Sequence, residues 1–355
     1  MKHKITLIPG DGIGPEIIKV VVNVLDIVGA QIEWDIYEDA QNVSDIVESV
    51  KKNKVALKGP ISTPIGGGYR SINVQLRKEL DMYANVRPAQ SMKGVDTPFQ
   101  NVDIVVIREN LEDLYAGIEF KEGEVETQDL IDYIAGIGRD NEPRIVSPYA
   151  GDDVGISIKP ISVRESERIA NFAFKYAMRN NRKKITAIHK ANIIKYTDGL
   201  FLETVRQVAK KYPKIEFEDK IVDATAMMLV RYPQDFDMLL CPNLYGDILS
   251  DLCAGLVGGL GVAPSANIGD EYAIFEAVHG SAPTLAGQNK ANPTAVLLSA
   301  VMMLEYLGEK EIAKKIDLAI KNVIKKGKNV TYDLCSEGKR GVGTQEMGQA
   351  IIKKL

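Results

Sequence analysis

Apolar and polar positions in this chain switch repeatedly between a short-run pattern and a helical one. Ile5 to Ile8 is a brief apolar run that stops at Pro9-Gly10-Asp11-Gly12-Ile13-Gly14-Pro15. From Glu16 onward, Ile17, Ile18, Val21, Val22 and Leu25 recur at helical spacing, so a strand, a tight loop and a helix are predicted. Further extended segments are predicted at Gln31 to Tyr37, Val55 to Leu57, Asp103 to Ile107, Lys184 to Ile188 and Met238 to Leu240, with helices between several of them. That order predicts an α/β fold with a substantially parallel sheet. Between Lys121 and Val154 the pattern loosens into charged and small residues, and an irregular arm is expected there. Two helices, Thr294 to Leu307 and Lys310 to Lys325, a glycine-rich loop and a last helix are predicted for the final stretch.

Length changes this picture first. A chain of 355 residues exceeds what one simple core usually holds, so two domains or one large α/β unit with an excursion are expected. A net charge of −4 gives no global field that would attract nucleic acid, so an anionic ligand must be met by local groups. The three cysteines, Cys241, Cys253 and Cys335, lie far apart without the spacing of a disulfide framework or a zinc site. Met1-Lys2-His3-Lys4 runs at once into the first strand, leaving no signal-peptide core, and no apolar run reaches membrane-spanning length. No membrane partner and a cytoplasmic location are the expectations.

Several segments carry candidate chemistry. Gly66-Gly67-Gly68 leads to Tyr69-Arg70-Ser71-Ile72-Asn73 and then to helical periodicity from Val74 to Leu80. A flexible loop that delivers its chain to a helix N-terminus is an anion site, with Ser71 as the expected N-cap. Asn73 and Arg77 are four apart and share one helix face. Arg87, and Arg108 at the end of an apolar strand, add two more guanidiniums, each able to take a carboxylate bidentately. Asp247 and Asp251 lie four apart on the helix predicted after Met238 to Leu240, a pair of hard oxygen donors suited to Mg²⁺ or Mn²⁺. Lys190, in His189-Lys190-Ala191-Asn192, follows a strand and could serve as a base if its pKa were lowered. Asp223 stands at an element boundary and reads by itself as the N-cap of a helix over Ala224 to Val230. The loop Gly10-Asp11-Gly12-Ile13-Gly14 is neither GxGxxG in register nor a P-loop. Glu276-Ala277-Val278-His279-Gly280-Ser281-Ala282-Pro283 is a small-residue loop able to approach a planar or phosphorylated ligand closely.

Taken in order, these segments resemble the β-decarboxylating dehydrogenase family, which includes the isocitrate, isopropylmalate, homoisocitrate and tartrate dehydrogenases. The resemblance rests on GDGIGPE at Gly10 to Glu16, RSINVQLRKELDMYANVRP at Arg70 to Pro88 and RENLEDLYAGIE at Arg108 to Glu119. HKAN at His189 to Asn192, NLYGDILSD at Asn243 to Asp251, GGLGVAPSANIGD at Gly258 to Asp270 and HGSAP at His279 to Pro283 continue it. It implies an isocitrate/isopropylmalate dehydrogenase-like α/β fold: a large domain from 1–83 and 258–355, and a smaller α/β domain from 84–257 with a clasp at about 113–160.

Within that family, Ser71 and Asn73 resemble the isocitrate branch, so isocitrate is the implied substrate; homoisocitrate, isopropylmalate and tartrate dehydrogenases, or a non-catalytic regulatory subunit, are the alternatives. Substrate contacts are implied for Ser71, Asn73, Arg77, Arg87, Arg108, Tyr115, Lys190 and Asn192. Tyr115 and Lys190, with Asp223 nearby, are implied in proton transfer, and Asp223, Asp247 and Asp251 in holding Mg²⁺ or Mn²⁺. Cofactor contacts are implied at Thr63, Glu276, His279, Gly280, Ser281, Ala282, Thr284, Leu285 and Asn292. A homodimer with shared sites follows, in which Lys190, Asn192 and Asp223 come from the neighbouring chain. For the nicotinamide cofactor, Thr284-Leu285 and Ser336 lack the cations that would meet a 2′-phosphate, which favours NAD, while Lys339 and Arg340 keep NADP as the alternative. Ser71, at the anion site, is also a candidate for phosphorylation that would repel the substrate.

Overall fold

One ten-stranded sheet organises the molecule, and its strand order places segments distant in sequence side by side. The computed structural model describes residues 2–39, 42–62, 71–137, 153–335 and 340–355. The chain opens with β1 (His3–Ile8), α1 (Gly14–Ile27), β2 (Ile32–Ile36), α2 (Val43–Asn53) and β3 (Val55–Lys58). The apolar stripe read from the sequence is the buried face of α1, with Ile17, Ile18, Val21, Val24 and Leu25 inside. Next come α3 (Ile72–Glu79), β4 (Ala84–Gln90), β5 (Asp103–Glu109), β6 (Ile118–Phe120), α4 (Val125–Gly136), β7 (Ile156–Ile158) and α5 (Val163–Arg179). β8 (Lys184–His189), α6 (Thr197–Ala209), β9 (Glu216–Ile221), α7 (Val222–Arg231), β10 (Met238–Cys241) and α8 (Asn243–Leu256) follow. The chain ends with β11 (Pro264–Ile268), β12 (Ala273–Ala277), α9 (Thr294–Tyr306), α10 (Lys310–Lys326) and α11 (Thr344–Ile352).

The sheet order is β2-β1-β3-β12-β11-β4-β5-β10-β8-β9. Pairing is parallel except at the centre, where β11 runs antiparallel to β12 and β4, and β4 antiparallel to β5. The periodicity reading therefore finds most of the parallel flanks and misses β4, β11 and β12 at the centre and the edge strand β9. Both β4 and β11 alternate polar with apolar residues and carry a proline, signals that argue against a central strand. Pro88 is tolerated because β11 pairs with β4 only over Ala84 to Val86, so one side of β4 is already free of its neighbour at that point.

Ser71 is the N-cap residue of α3 as expected, although its side chain makes no capping hydrogen bond. Two local expectations need correction. Asp223 is not an N-cap: α7 starts at Val222 with Ile221 as the capping residue, so the aspartate lies in the first turn. The arm expected between Lys121 and Val154 contains the twelve-residue helix α4, whose only buried residues are Thr127 and Ile131, too sparse a stripe to read from sequence. Close by, β6 and β7 form a separate two-stranded antiparallel sheet. Residues 138–152 of that arm, and the glycine loop Gly66-Gly67-Gly68, lie outside the described residues.

Candidate active site

Alternation along the central strands puts a band of polar side chains on one face of the sheet and apolar ones on the other. Asn85 and Arg87 on β4, Ser265 and Asn267 on β11, and Glu276 on β12 share the polar face. Their neighbours Val86, Pro88, Ala266 and Phe275 line a cleft of about 1900 Å³ on the opposite face, which contains none of the candidate site residues.

Arg108, only 1% exposed, lies across the polar band at the end of β5. Its Nε donates to the Asn243 carbonyl and Oδ1, both at 3.0 Å, and its guanidinium is paired with Asp247 on α8. Arg87 reaches the same helix: its guanidinium donates to Ser250 Oγ at 2.7 Å and lies 3.3 Å from both Asp247 and Asp251. The Tyr115 hydroxyl donates to the other Asp247 oxygen, and the Arg108 guanidinium stands 4.8 Å from the Tyr115 ring centroid. Burial and the crowding of Arg87 and Arg77 press the Arg108 pKa down. Burial also pushes Asp247 upward, but Arg108 and Arg87 outweigh it and hold its carboxyl below the usual range. Asp251 is shifted the other way, by burial first, because Arg87 and Arg108 do not offset desolvation and the charge of Asp247. Tyr115 has a raised pKa through burial and its bond to Asp247, so it keeps its phenolic proton at neutral pH.

Arg77, on α3, comes within 3.5 Å of Glu276 Oε1, while Lys58 at the end of β3 holds Glu276 Oε2 at 2.5 Å. These cations overcome the burial of Glu276 and hold its pKa at about 2. Asn73 Oδ1 and Arg77 Nε, one helical turn apart, are both buried without a hydrogen-bond partner among the described residues. Buried polar atoms are rarely left so, and a bound polar ligand would satisfy both.

Loops that follow three neighbouring strands meet at the edge of this band. Ser62 donates to Asp11 at 2.9 Å, its Oγ lies 2.6 Å from Ser281 Oγ, and the Ile13 amide donates to the Ser281 carbonyl at 2.9 Å. Gly12 is required there: its φ is +58°, and a Cβ would stand 2.1 Å from the Ser281 carbonyl oxygen. His279 and Gly280 lie on the same loop as Ser281, and burial lowers the His279 pKa, while its Nε2 has no partner among the described residues. Ala282 has a left-handed backbone, with Thr284 and Leu285 in the single helical turn that follows. Asn292 is 8% exposed and donates to Asp333 at 2.8 Å. Thr63, Ser336 and Lys339 lie outside the described residues, and Arg340 is exposed.

The remaining site residues are elsewhere. Lys190, just past β8, is paired with Asp223 on α7, and Asn192 is exposed beside them. Among the described residues no group of three or more acids, histidines or cysteines gathers as a metal site, so Asp223 does not join Asp247 and Asp251 within one chain. Sequence reasoning missed Lys58, Asn85, Asn243 and Asn267. The signal for Lys58 was a polar residue on an otherwise apolar strand, Val55-Ala56-Leu57-Lys58, and for Asn85 and Asn267 the polar alternation along β4 and β11.

A mixed sheet bearing a buried arginine cluster against a helix with paired acids defines an α/β enzyme for a small polyanion. A model of the isocitrate/isopropylmalate dehydrogenase family matches residues 4–351, and the chain belongs to that family. It is 47% identical over 357 residues to a regulatory subunit of mitochondrial NAD isocitrate dehydrogenase from Dictyostelium discoideum, covering 99% of this chain and 93% of the relative. It is 48% identical over 339 residues to catalytic subunit 5 of the mitochondrial NAD enzyme from Arabidopsis thaliana, covering 93% and 83%. A crystal structure of isocitrate dehydrogenase from Methylococcus capsulatus superposes with a TM-score of 0.87 at 47% identity, covering 99% of both chains. The Dictyostelium and Arabidopsis relatives are mitochondrial proteins, which overturns the expectation of a cytoplasmic location.

Proposed function

We propose that the polar cleft binds isocitrate, and that the chain catalyses its oxidative decarboxylation to 2-oxoglutarate and CO₂ with hydride transfer to NAD. The observation that carries this reading is the grouping of Arg77, Arg87 and Arg108 around Glu276, Asp247 and Asp251, beside the unpartnered Asn73 Oδ1. Arg87 and Arg108 offer carboxylate-binding forks, while Ser71, Asn73 and Arg77 on α3 meet the remaining carboxylate. Asp247 and Asp251 fit a divalent cation as hard oxygen donors, 34% and 53% exposed, one helical turn apart. Mg²⁺ or Mn²⁺, when bound, would polarise the substrate hydroxyl and its neighbouring carboxylate, and NAD would accept the hydride. Lys190, oriented by Asp223, takes the hydroxyl proton, and Tyr115 returns a proton to carbon after CO₂ departs.

The site is shared between two chains in this reading. Ile193 and Tyr196 are 69% and 85% exposed beside Lys190, and Met227 and Val230 are about half exposed on α7 with Asp223. Ile248 is 59% exposed beside Asp247 on α8, so apolar surface borders each half of the chemistry. Because the relatives are named as subunits, the second chain is either another copy or a related, non-identical one. The sheet can be cut once, between β11 and β4, to give a large domain of 1–83 with 258–355 and a small one of 84–257.

Initial rates test the assignment. With Mg²⁺ or Mn²⁺, kcat/KM for isocitrate should exceed that for isopropylmalate, homoisocitrate or tartrate by about a hundredfold or more, because isopropylmalate and tartrate leave buried polar groups unpaired and homoisocitrate carries an extra methylene that displaces one carboxylate. NAD should be preferred to NADP, and chelation should stop turnover. A reversed substrate ranking would sink the reading. A chain that binds isocitrate but never turns it over would instead mark the regulatory role carried by the Dictyostelium relative's name.

Gly246 supplies a sharper test of Arg108. A Cβ at this position on α8 would lie 2.6 Å from Arg108 Cγ and 2.7 Å from Arg108 Cβ, on the rigid stem of a buried side chain. Gly246→Ala should therefore displace the guanidinium and raise the KM for isocitrate about tenfold, at a stability cost of about 1–3 kcal/mol. Unchanged KM together with unchanged Tm would show that Arg108 does not set affinity.

A further inference from the structure

The polar face of the central strands contains a hydrogen-bond chain to which no catalytic or ligand-binding role has yet been given. Arg87 Nε, which can only donate, donates to Asn85 Oδ1 at 2.7 Å. That bond fixes the Asn85 amide, whose Nδ2 must face away and donates to Asn267 Oδ1 at 2.9 Å and to Ser265 Oγ at 3.0 Å. Asn110 Nδ2 donates to the same Asn267 oxygen at 3.0 Å. The Asn267 amide is fixed in turn, and its Nδ2 donates to Glu276 Oε1 at 2.6 Å. Every donor therefore points the same way, from the Arg87 guanidinium to the Glu276 carboxylate.

The chain is dry. Asn85 is 0%, Asn267 1% and Ser265 1% exposed, so water cannot substitute for a missing partner. Its two asparagines are held on rigid elements, since Asn85 and Asn267 are register partners across β4 and β11. One end is a substrate arginine whose terminal nitrogens reach Asp247, Asp251 and Ser250. The other is Glu276, braced by Lys58 and Arg77. A guanidinium is planar, and fixing its Nε–H fixes the plane in which its terminal nitrogens can meet a carboxylate.

We propose that Asn85 and Asn267 are positioning residues, setting the plane of the Arg87 guanidinium and tying it to Glu276, so that substrate affinity depends on amides that never touch the substrate. The proposal rests on the reading of the cleft as the isocitrate site. Leucine at position 85 keeps the branched shape and removes every bond of the amide, whereas aspartate keeps the acceptor for Arg87 Nε and loses the donor to Asn267, Ser265 and the Ala266 carbonyl.

The test compares Asn85→Leu and Asn85→Asp with the parent protein in steady-state kinetics, with Tm followed in parallel. Asn85→Leu should raise the KM for isocitrate about tenfold or more while the KM for NAD and kcat move less than about threefold. Asn85→Asp should bring the isocitrate KM back to within about threefold of the parent even though its Tm also falls. A structural role alone would lower Tm in both without this rescue. Asn85→Leu with an isocitrate KM unchanged, or with both substrates' KM values rising together, overturns the proposal. If Asn85→Leu does not accumulate as folded protein, Asn267→Ser takes its place, with a smaller rise in isocitrate KM expected and an unchanged KM overturning the proposal. A second readout does not depend on the substrate: the Arg87 Nε–H resonance in the ligand-free protein should be protected from exchange in the parent and in Asn85→Asp. It should be exposed in Asn85→Leu. Protection that persists in Asn85→Leu overturns the positioning role, while a parent that fails to oxidise isocitrate overturns the functional reading and leaves this resonance to decide the geometry.

Discussion

Replacing Asp247 by asparagine is expected to lower kcat/KM for isocitrate by about three orders of magnitude, equivalent to about 4 kcal/mol of lost transition-state stabilisation. Asp247 is where the pocket's charges balance: Arg108, Arg87 and Tyr115 all address its carboxylate. An isosteric amide keeps the shape but leaves the 1%-exposed Arg108 without its counter-ion, and removing one member of a buried pair costs about 3–5 kcal/mol. It also takes a hard donor from the proposed metal position. Asp251→Asn should be milder, since that carboxylate is 53% exposed and, among the described residues, pairs with Arg87 alone, at 3.3 Å. The measurements are kcat/KM at saturating Mg²⁺ or Mn²⁺ and Tm for each variant. A loss below about tenfold for Asp247→Asn, or a larger loss for Asp251→Asn, contradicts this account of the pocket.

Two inactive copies should restore activity when combined. Lys190→Met removes the proposed base and Asp247→Asn the carboxylate proposed to face it across the shared site, and each variant alone should be inactive. The single chain keeps Lys190 with Asp223, away from Asp247, so the proposed site would be completed by groups from two chains. In a mixed pair, one site would carry both defects and the other neither. Coexpression should then recover about a quarter of the parent activity if copies pair at random. Recovery indistinguishable from zero, with both variants folded and associated, would show that two copies of this chain do not share a site. A related, non-identical chain would be the next partner to combine.

How much of this was legible beforehand depended on which residues share an element. Asn73 with Arg77, and Asp247 with Asp251, lie one helical turn apart, so helical periodicity alone put each pair on one face. Strands such as β5 and β10 were legible because they are continuous apolar runs, as in Ile104-Val105-Val106-Ile107, whereas β9, Glu216-Phe217-Glu218-Asp219-Lys220-Ile221, is too polar to read as one. The central antiparallel strands were not, because polar alternation and Pro88 disguise them. The cap expected of Asp223 failed because helix starts are set by backbone geometry that side-chain type only biases. The cytoplasmic expectation rested on a missing signal and was corrected by the relatives' names.

By itself the sequence determined the α/β class, the arginines and the acidic pair, because residue type and spacing along one element fix what chemistry that element can offer. It also determined the family, through motifs kept in order along nearly the whole chain. Only the tertiary structure decided that Arg77, Arg87 and Arg108, drawn from three elements, meet around Glu276 and Asp247, and that Lys190 and Asp223 do not join them within one chain. It alone revealed the buried asparagines behind Arg87. The physical reason is the same in each case: convergence depends on strand register and helix placement across hundreds of residues, to which local periodicity is blind.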